Sequence, residues 1–198
     1  MSRCVRRTAA WIRWVSLLLC STALPAATAA PSPSADPELY RAKAAVVLEL
    51  TRFVEWPSGT FPSPGAPFVI GVLGDRRFAD ALRREVADEK VQGRAVRTRN
   101  FRNLDEVDPC SILVVGREKA RLLPVILDFL AGWSGVLTIG ETADFAELGG
   151  VVRLVELPDR IGFEINRDAA VHADLRLGAQ VLRLADRLLP ERGEAAEP

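Results

Sequence analysis

Leu39, Ala42, Val46, Leu50 and Phe53 recur at steps of three and four residues, the spacing that lines one face of a helix. The folded part of the chain is therefore expected to open with a core-facing helix. Pro57, which lacks an N–H and disfavours helical geometry at Trp56, is expected to stop it. After a Pro- and Gly-rich loop (58–67), Phe68 to Leu73 is an apolar run of strand length, and Phe78 to Val86 reads as a helix. Ala95 to Phe101 and Cys110 to Val115 read as strands, and Lys119 to Leu130 as a helical stretch kinked or restarted at Pro124. A short strand at Gly135 to Ile139 and a helical turn at Ala143 to Leu148 follow, the turn closed by Gly149 and Gly150.

Val151 to Leu157 and Arg160 to Ile165 flank Pro158-Asp159 and read as a hairpin with one buried face. Asn166 is a suitable N-cap for one final helical region carrying Leu177, Val181, Leu184 and Leu188 at helical spacing. Continuous apolar strands separated by helices define the α/β class. A single domain is expected, with a mixed central sheet, helices on both faces and an antiparallel hairpin near one edge.

The ends of the chain change the count of what folds. Arg3, Arg6, Arg7 and Arg13 precede an apolar or small stretch from Val15 to Ala27, and Ala27-Thr28-Ala29 closes it as an A-x-A site. Residues 1–29 are thus read as a secretory signal peptide cleaved near Ala29, with an apolar core too short to span a bilayer. Cys20 would invite lipid attachment, but Leu19 is too large for the position before a lipidated cysteine. Residues 30–37 are expected to be a disordered lead-in, 38–189 the α/β domain and 190–198 a disordered tail. Cleavage removes four arginines from a balance of 26 basic and 26 acidic residues, leaving an exported, mildly acidic product for which nucleic acid is no natural partner. Of three cysteines only Cys110 survives, so no disulfide forms within the mature chain.

Candidate chemistry is sparse. Gly71 and Gly74 in VIGVLGDRRF sit where a phosphate loop would lie, but the third glycine and the Gly-Lys-Ser/Thr are missing. Asp75 would repel a phosphate there; a turn and N-cap is the simpler reading. His172 is the only histidine and has no neighbours at ligand spacing, while Cys110 opens an apolar strand and is expected to pack. Glu55, Asp144 and Glu164 lie near element ends, though sequence separation does not show that any two meet. No catalytic residue, metal or cofactor is called for, and nothing requires an enzyme.

The segments YRAKAAVVLELTRFVEWPSGTF, PFVIGVLGDRRF, CSILVVG, FAELGGVVRLVE and RIGFEINRDAA follow one another between Tyr40 and Ala170. In that order and spacing they resemble the YfiR family of periplasmic regulators. The resemblance implies an exported α/β protein without catalytic activity. Its partner would be an inner-membrane diguanylate cyclase or related sensor protein, inhibited through that protein's periplasmic part so that cyclic di-GMP is controlled from outside the membrane. A homodimer is a further option. Regulation of a sensor kinase, or a periplasmic small-ligand-binding protein, are the alternatives. Paired cysteines known in such proteins are absent here, so redox switching does not transfer. Phe53, Pro57, Gly149, Gly150 and Phe163 are expected to be structural, whereas Glu55, Trp56, Glu164 and Asn166 are the candidate partner contacts. For Phe53 and Trp56 two roles are open, a wedge between the first helix and the sheet or a partner anchor.

Overall fold

A computed structural model describes residues 35–189; the expected signal peptide, most of the lead-in and the tail lie outside the described residues. The chain runs α1 (Ala35–Leu50), β1 (Val54–Glu55), β2 (Phe68–Leu73), α2 (Arg76–Glu85), β3 (Lys90–Val91) and β4 (Arg94–Phe101). It continues with β5 (Ile112–Val115), α3 (Leu123–Leu130), β6 (Leu137–Gly140), β7 (Val152–Glu156) and β8 (Ile161–Asn166). It closes with α4 (Arg167–His172), β9 (Arg176–Leu177), α5 (Ala179–Leu184) and β10 (Arg187–Leu189). An eight-stranded mixed sheet has the order β10-β8-β7-β6-β5-β2-β4-β3, and β1 and β9 form a separate antiparallel pair. The expected α/β architecture is thus present, with the antiparallel β7–β8 hairpin one strand in from the edge.

Both faces of the sheet are covered, which is why its central strands read as unbroken apolar runs. On one side Ile70, Val72, Ile112, Val114 and Ile139 pack under α1 and α2, and that core continues to Ala170 of α4 and Val181 of α5. On the other, Leu73, Leu113 and Val115 pack under Leu123, Ile126 and Leu130 of α3.

Three readings are corrected. The stripe expected on α1 is displaced: Lys43, Ala44, Val47 and Leu50 are buried, while Ala42 is exposed and Val46 only half-buried. Lys43 is accommodated on this inward face because it finds the carboxylates of Glu141 and Glu156 there. Second, α1 stops at Leu50, well before Pro57. Thr51, Arg52 and Phe53 donate their N–H groups in tight turns to Leu48, Glu49 and Leu50, and the Thr51 hydroxyl takes the Leu48 carbonyl at 2.5 Å. The chain then leaves to pair Val54 with Leu177 and Glu55 with Arg176. Third, the single final helical region is two short helices between short strands. Asp174, in the left-handed region at φ 56°, ends the first, and the ladders to β1 and β8 stretch the segments around α5.

Candidate functional site

The first motif is held from inside. Trp56 is half-buried, its indole edge-on to the Phe68 ring at 4.9 Å between centroids, and its N–H donates to the Ser111 carbonyl at 3.2 Å. Phe53 packs against the larger core while its carbonyl accepts from Gly178 N–H at 2.8 Å. Pro57 follows in the turn where Thr60 N–H reaches the Pro57 carbonyl at 3.0 Å. Only Glu55 of this group is exposed.

The last motif is also engaged. Glu164, one of the candidate partner contacts, has a side chain only 12% exposed, which lies between Arg153 at 3.0 Å and Arg187 at 3.5 Å. Asn166 accepts from Ala169 N–H at 2.9 Å, the expected helix cap, and its amide also donates to the Ala146 carbonyl at 2.7 Å. The outer side of the hairpin is not a free edge, because β10 runs parallel along Glu164, Ile165 and Asn166. Phe163 is half-buried against the larger core. Among the described residues no hydrogen bond or ion pair joins Glu55 or Trp56 to Glu164 or Asn166. The segment from α4 to β10 lies between them, paired to β1 through β9 and to β8 through β10.

The glycine pair has a physical explanation. Gly149 has φ +108°, a conformation that side chains rarely adopt, and a Cβ on Gly150 would run into the Phe145 ring. The same ring leaves no room for a Cβ on Gly140 at the end of β6.

Asp186 fastens β10. Its carboxylate accepts from Arg160 at 2.5 Å and from Phe163 N–H at 2.8 Å, and its own N–H donates to the Phe163 carbonyl at 2.8 Å. The Arg160 hydrogen bond is the main influence holding this carboxyl below its ordinary range. Its folded pKa is lowered, so its contribution to stability is present at neutral pH and is lost as pH falls from about 4 through the folded value. Asp186→Asn is expected to cost about 1 kcal/mol at neutral pH and to flatten the acid-side decline, which denaturant titrations at neutral and acidic pH would resolve.

A charged cluster that sequence reasoning missed lies at the carboxyl ends of the parallel strands. Lys43, with its side chain 4% exposed, contacts Glu141 (6% exposed) at 2.9 Å and Glu156 at 2.8 Å. Arg117 contacts the same two carboxylates at 2.7 and 2.5 Å. The hydrogen bond from Lys43 leads the effects that hold the Glu156 carboxyl below its ordinary range. Beside them Tyr40 stacks on Phe78 at 6.1 Å, and burial first, then Asp75, pushes its hydroxyl up to about 12. The available signal was a lysine inside the apolar spacing of α1.

This cluster flanks the point where strand order reverses, between β2 and β5, the usual ligand crevice of an open α/β sheet. Here Asp75 caps α2 by accepting Phe78 N–H at 2.9 Å, as the sequence led us to expect, and Lys119 packs against Gly74. The four charges neutralise one another and tie α1, the start of the 3₁₀ turn at Arg117, and the ends of β6 and β7 together. His172 is exposed and its ring lies 2.6 Å from the Asp168 carbonyl. Cys110 is buried, and burial pushes its thiol up to about 12. Among the described residues no cluster of His, Cys, Asp and Glu could hold a metal ion.

Fold and contacts together define a mixed α/β protein whose motif residues other than Glu55 are chiefly internal fasteners. The chain belongs to the DUF4154, YfiR/HmsC-like family, whose model matches residues 40–186. This is a family of periplasmic regulatory proteins, and no helix among the described residues is long and apolar enough to cross a membrane. No curated protein matches the sequence. Among solved structures, a conserved domain protein from Vibrio cholerae O1 biovar eltor is similar at 12% identity and TM-score 0.49, over 76% of this chain and 60% of that one. An ABC domain from Streptococcus pneumonia, in complex with L-Trp, is similar at 13% identity and TM-score 0.46, over 61% of this chain and 55% of that one. The chain therefore spans little more than half the length of the structures it matches.

Proposed function

We propose that this protein is an exported regulator that binds the periplasmic sensor part of an inner-membrane signalling protein, a diguanylate cyclase, and holds it inactive. The observation that carries the reading is the family match across residues 40–186, the span that includes the motifs at both ends of the domain. In this reading the signal peptide is removed near Ala29 and the mature chain acts without a catalytic group of its own. A partner that binds only the inactive receptor shifts the receptor's equilibrium by its differential affinity for the two states.

The proposed contact region is the exposed side of α4 after the hairpin, where Val171 is 64% exposed and His172 is its neighbour, together with Glu55. Trp56, Glu164 and Asn166 support that region from within. Deleting the gene is expected to raise cyclic di-GMP. Val171→Asp is expected to do the same while leaving the melting temperature unchanged, since an exposed side chain away from packing contributes little to stability. An unchanged cyclic di-GMP level in the deletion strain, with no inner-membrane protein retained by the purified chain, would sink the cyclase reading and favour ligand binding.

A further inference from the structure

The far edge of the sheet is open over most of its length. β4 is paired along one side with β2, from Val96 opposite Phe68 to Phe101 opposite Leu73. On its other side β3 covers only Arg94 and Ala95, by Val91 and Lys90. Val96 N–H turns to that outer side, donating to the Glu89 carbonyl at 3.3 Å, whereas the Phe101 carbonyl turns inward, accepting from Gly74 N–H at 2.9 Å. Successive residues of a strand direct their backbone groups to opposite sides. The N–H and C=O groups of Thr98 and Asn100 therefore point outward, past the end of β3, and no hydrogen bond to them is made from that side among the described residues.

This edge is positively charged. Arg97 and Arg99 share one face of β4 and both are exposed. Arg99 pairs with Asp108 at 2.5 Å, and Arg97 has no carboxylate within ion-pair distance among the described residues. On the opposite face, at the carboxyl end of the strand, a cavity of about 350 Å³ is lined by Arg76, Asp80, Arg83, Asn100, Arg102 and Glu106. Its two acids are already used: Asp80 by Arg83 at 2.6 Å, and Glu106 by Arg102 N–H at 2.9 Å and the Asn103 amide at 3.2 Å. The Arg102 guanidinium is left to the cavity.

We propose that the outer edge of β4, from Val96 to Phe101, is a docking edge that takes an extended acidic segment of a partner protein by strand addition. Main-chain hydrogen bonds to Thr98 and Asn100 supply the pairing, and carboxylates at alternate positions of the added strand lie beside Arg97 and Arg99. A carboxylate on the other face of the added strand reaches the arginine-lined cavity. A second copy of this edge is a poor occupant, because it would set Arg97 and Arg99 against their own like charges. The inference stands on backbone and charge geometry and does not depend on the regulatory reading.

The test titrates the purified protein with an acetylated, amidated peptide of alternating Thr and Glu, followed by amide NMR and hydrogen exchange. Binding is expected, with the Thr98 and Asn100 amides shifted and protected from exchange. Arg97→Glu is expected to weaken it about tenfold or more. The corresponding Thr-Lys peptide, and the Thr-Glu peptide N-methylated at every residue, are expected not to bind. Equal binding of the N-methylated peptide would show attraction by charge alone and overturn strand addition. So would protection that falls elsewhere than β4, or no binding at all.

Discussion

Lys43→Ala is expected to destabilise the protein by about 3–5 kcal/mol, the range for removing one partner of a buried ion pair. The lysine side chain is 4% exposed and serves two carboxylates, Glu141 at 2.9 Å and Glu156 at 2.8 Å. Without it Arg117 alone would face both acids, and Glu141, at 6% exposure, has little access to water. Glu156 is partly exposed and recovers hydration, so most of the loss is assigned to Glu141. Denaturant unfolding measures the difference. Pairing Lys43→Met with Glu141→Gln is expected to recover part of the loss, because the pair then leaves no uncompensated buried acid. A cost below about 1 kcal/mol for Lys43→Ala would place the cluster among surface ion pairs.

Trp56→Ala is expected to cost about 2–4 kcal/mol, below the full cost for a completely enclosed aromatic because the side chain is half-buried. The lost contacts are the edge-on packing against Phe68 at 4.9 Å and the indole hydrogen bond to Ser111 at 3.2 Å. The Ser111 carbonyl keeps a donor, Leu137 N–H at 3.0 Å, so no orphaned acceptor adds to the cost. Glu55→Ala, one residue away on the exposed side of β1, is expected to change stability by less than about 0.5 kcal/mol. Thermal and denaturant unfolding of both variants decide the role of the motif. A stable Trp56→Ala protein that had lost its membrane partner would turn Trp56 into a contact residue.

The buried strands were legible because burial on both faces demands uninterrupted apolar side chains, and β2 occupies the very residues that its run marked out, Phe68–Leu73. Pro124 likewise marked a real boundary, separating a 3₁₀ turn over Arg117–Leu122 from α3, where it stands in the first turn. The candidate site was less readable. Glu164 looks like an ordinary polar position of an alternating strand, and what buries it is Arg187 on a strand that the periodicity assigned to a helix. Glu141, Glu156, Arg117 and Lys43 are separated by long stretches of chain, and nothing local brings a lysine toward two acids.

Local pattern, then, determined the buried central strands, the caps at Asp75 and Asn166, and the need for glycine at position 149, since each depends on a residue's own conformation and near neighbours. Tertiary structure decided which faces are inside. In α3 and its approach, Leu123, Ile126 and Leu130 are buried while Leu122, Val125 and Phe129 are exposed, although the two sets are equally apolar. It also decided the fate of residues 166–189, where helical spacing lost to pairing with β1 and β8. Hydrophobicity is non-directional and short segments carry little intrinsic preference, so the choice of face and of ladder falls to the partners that the completed sheet presents.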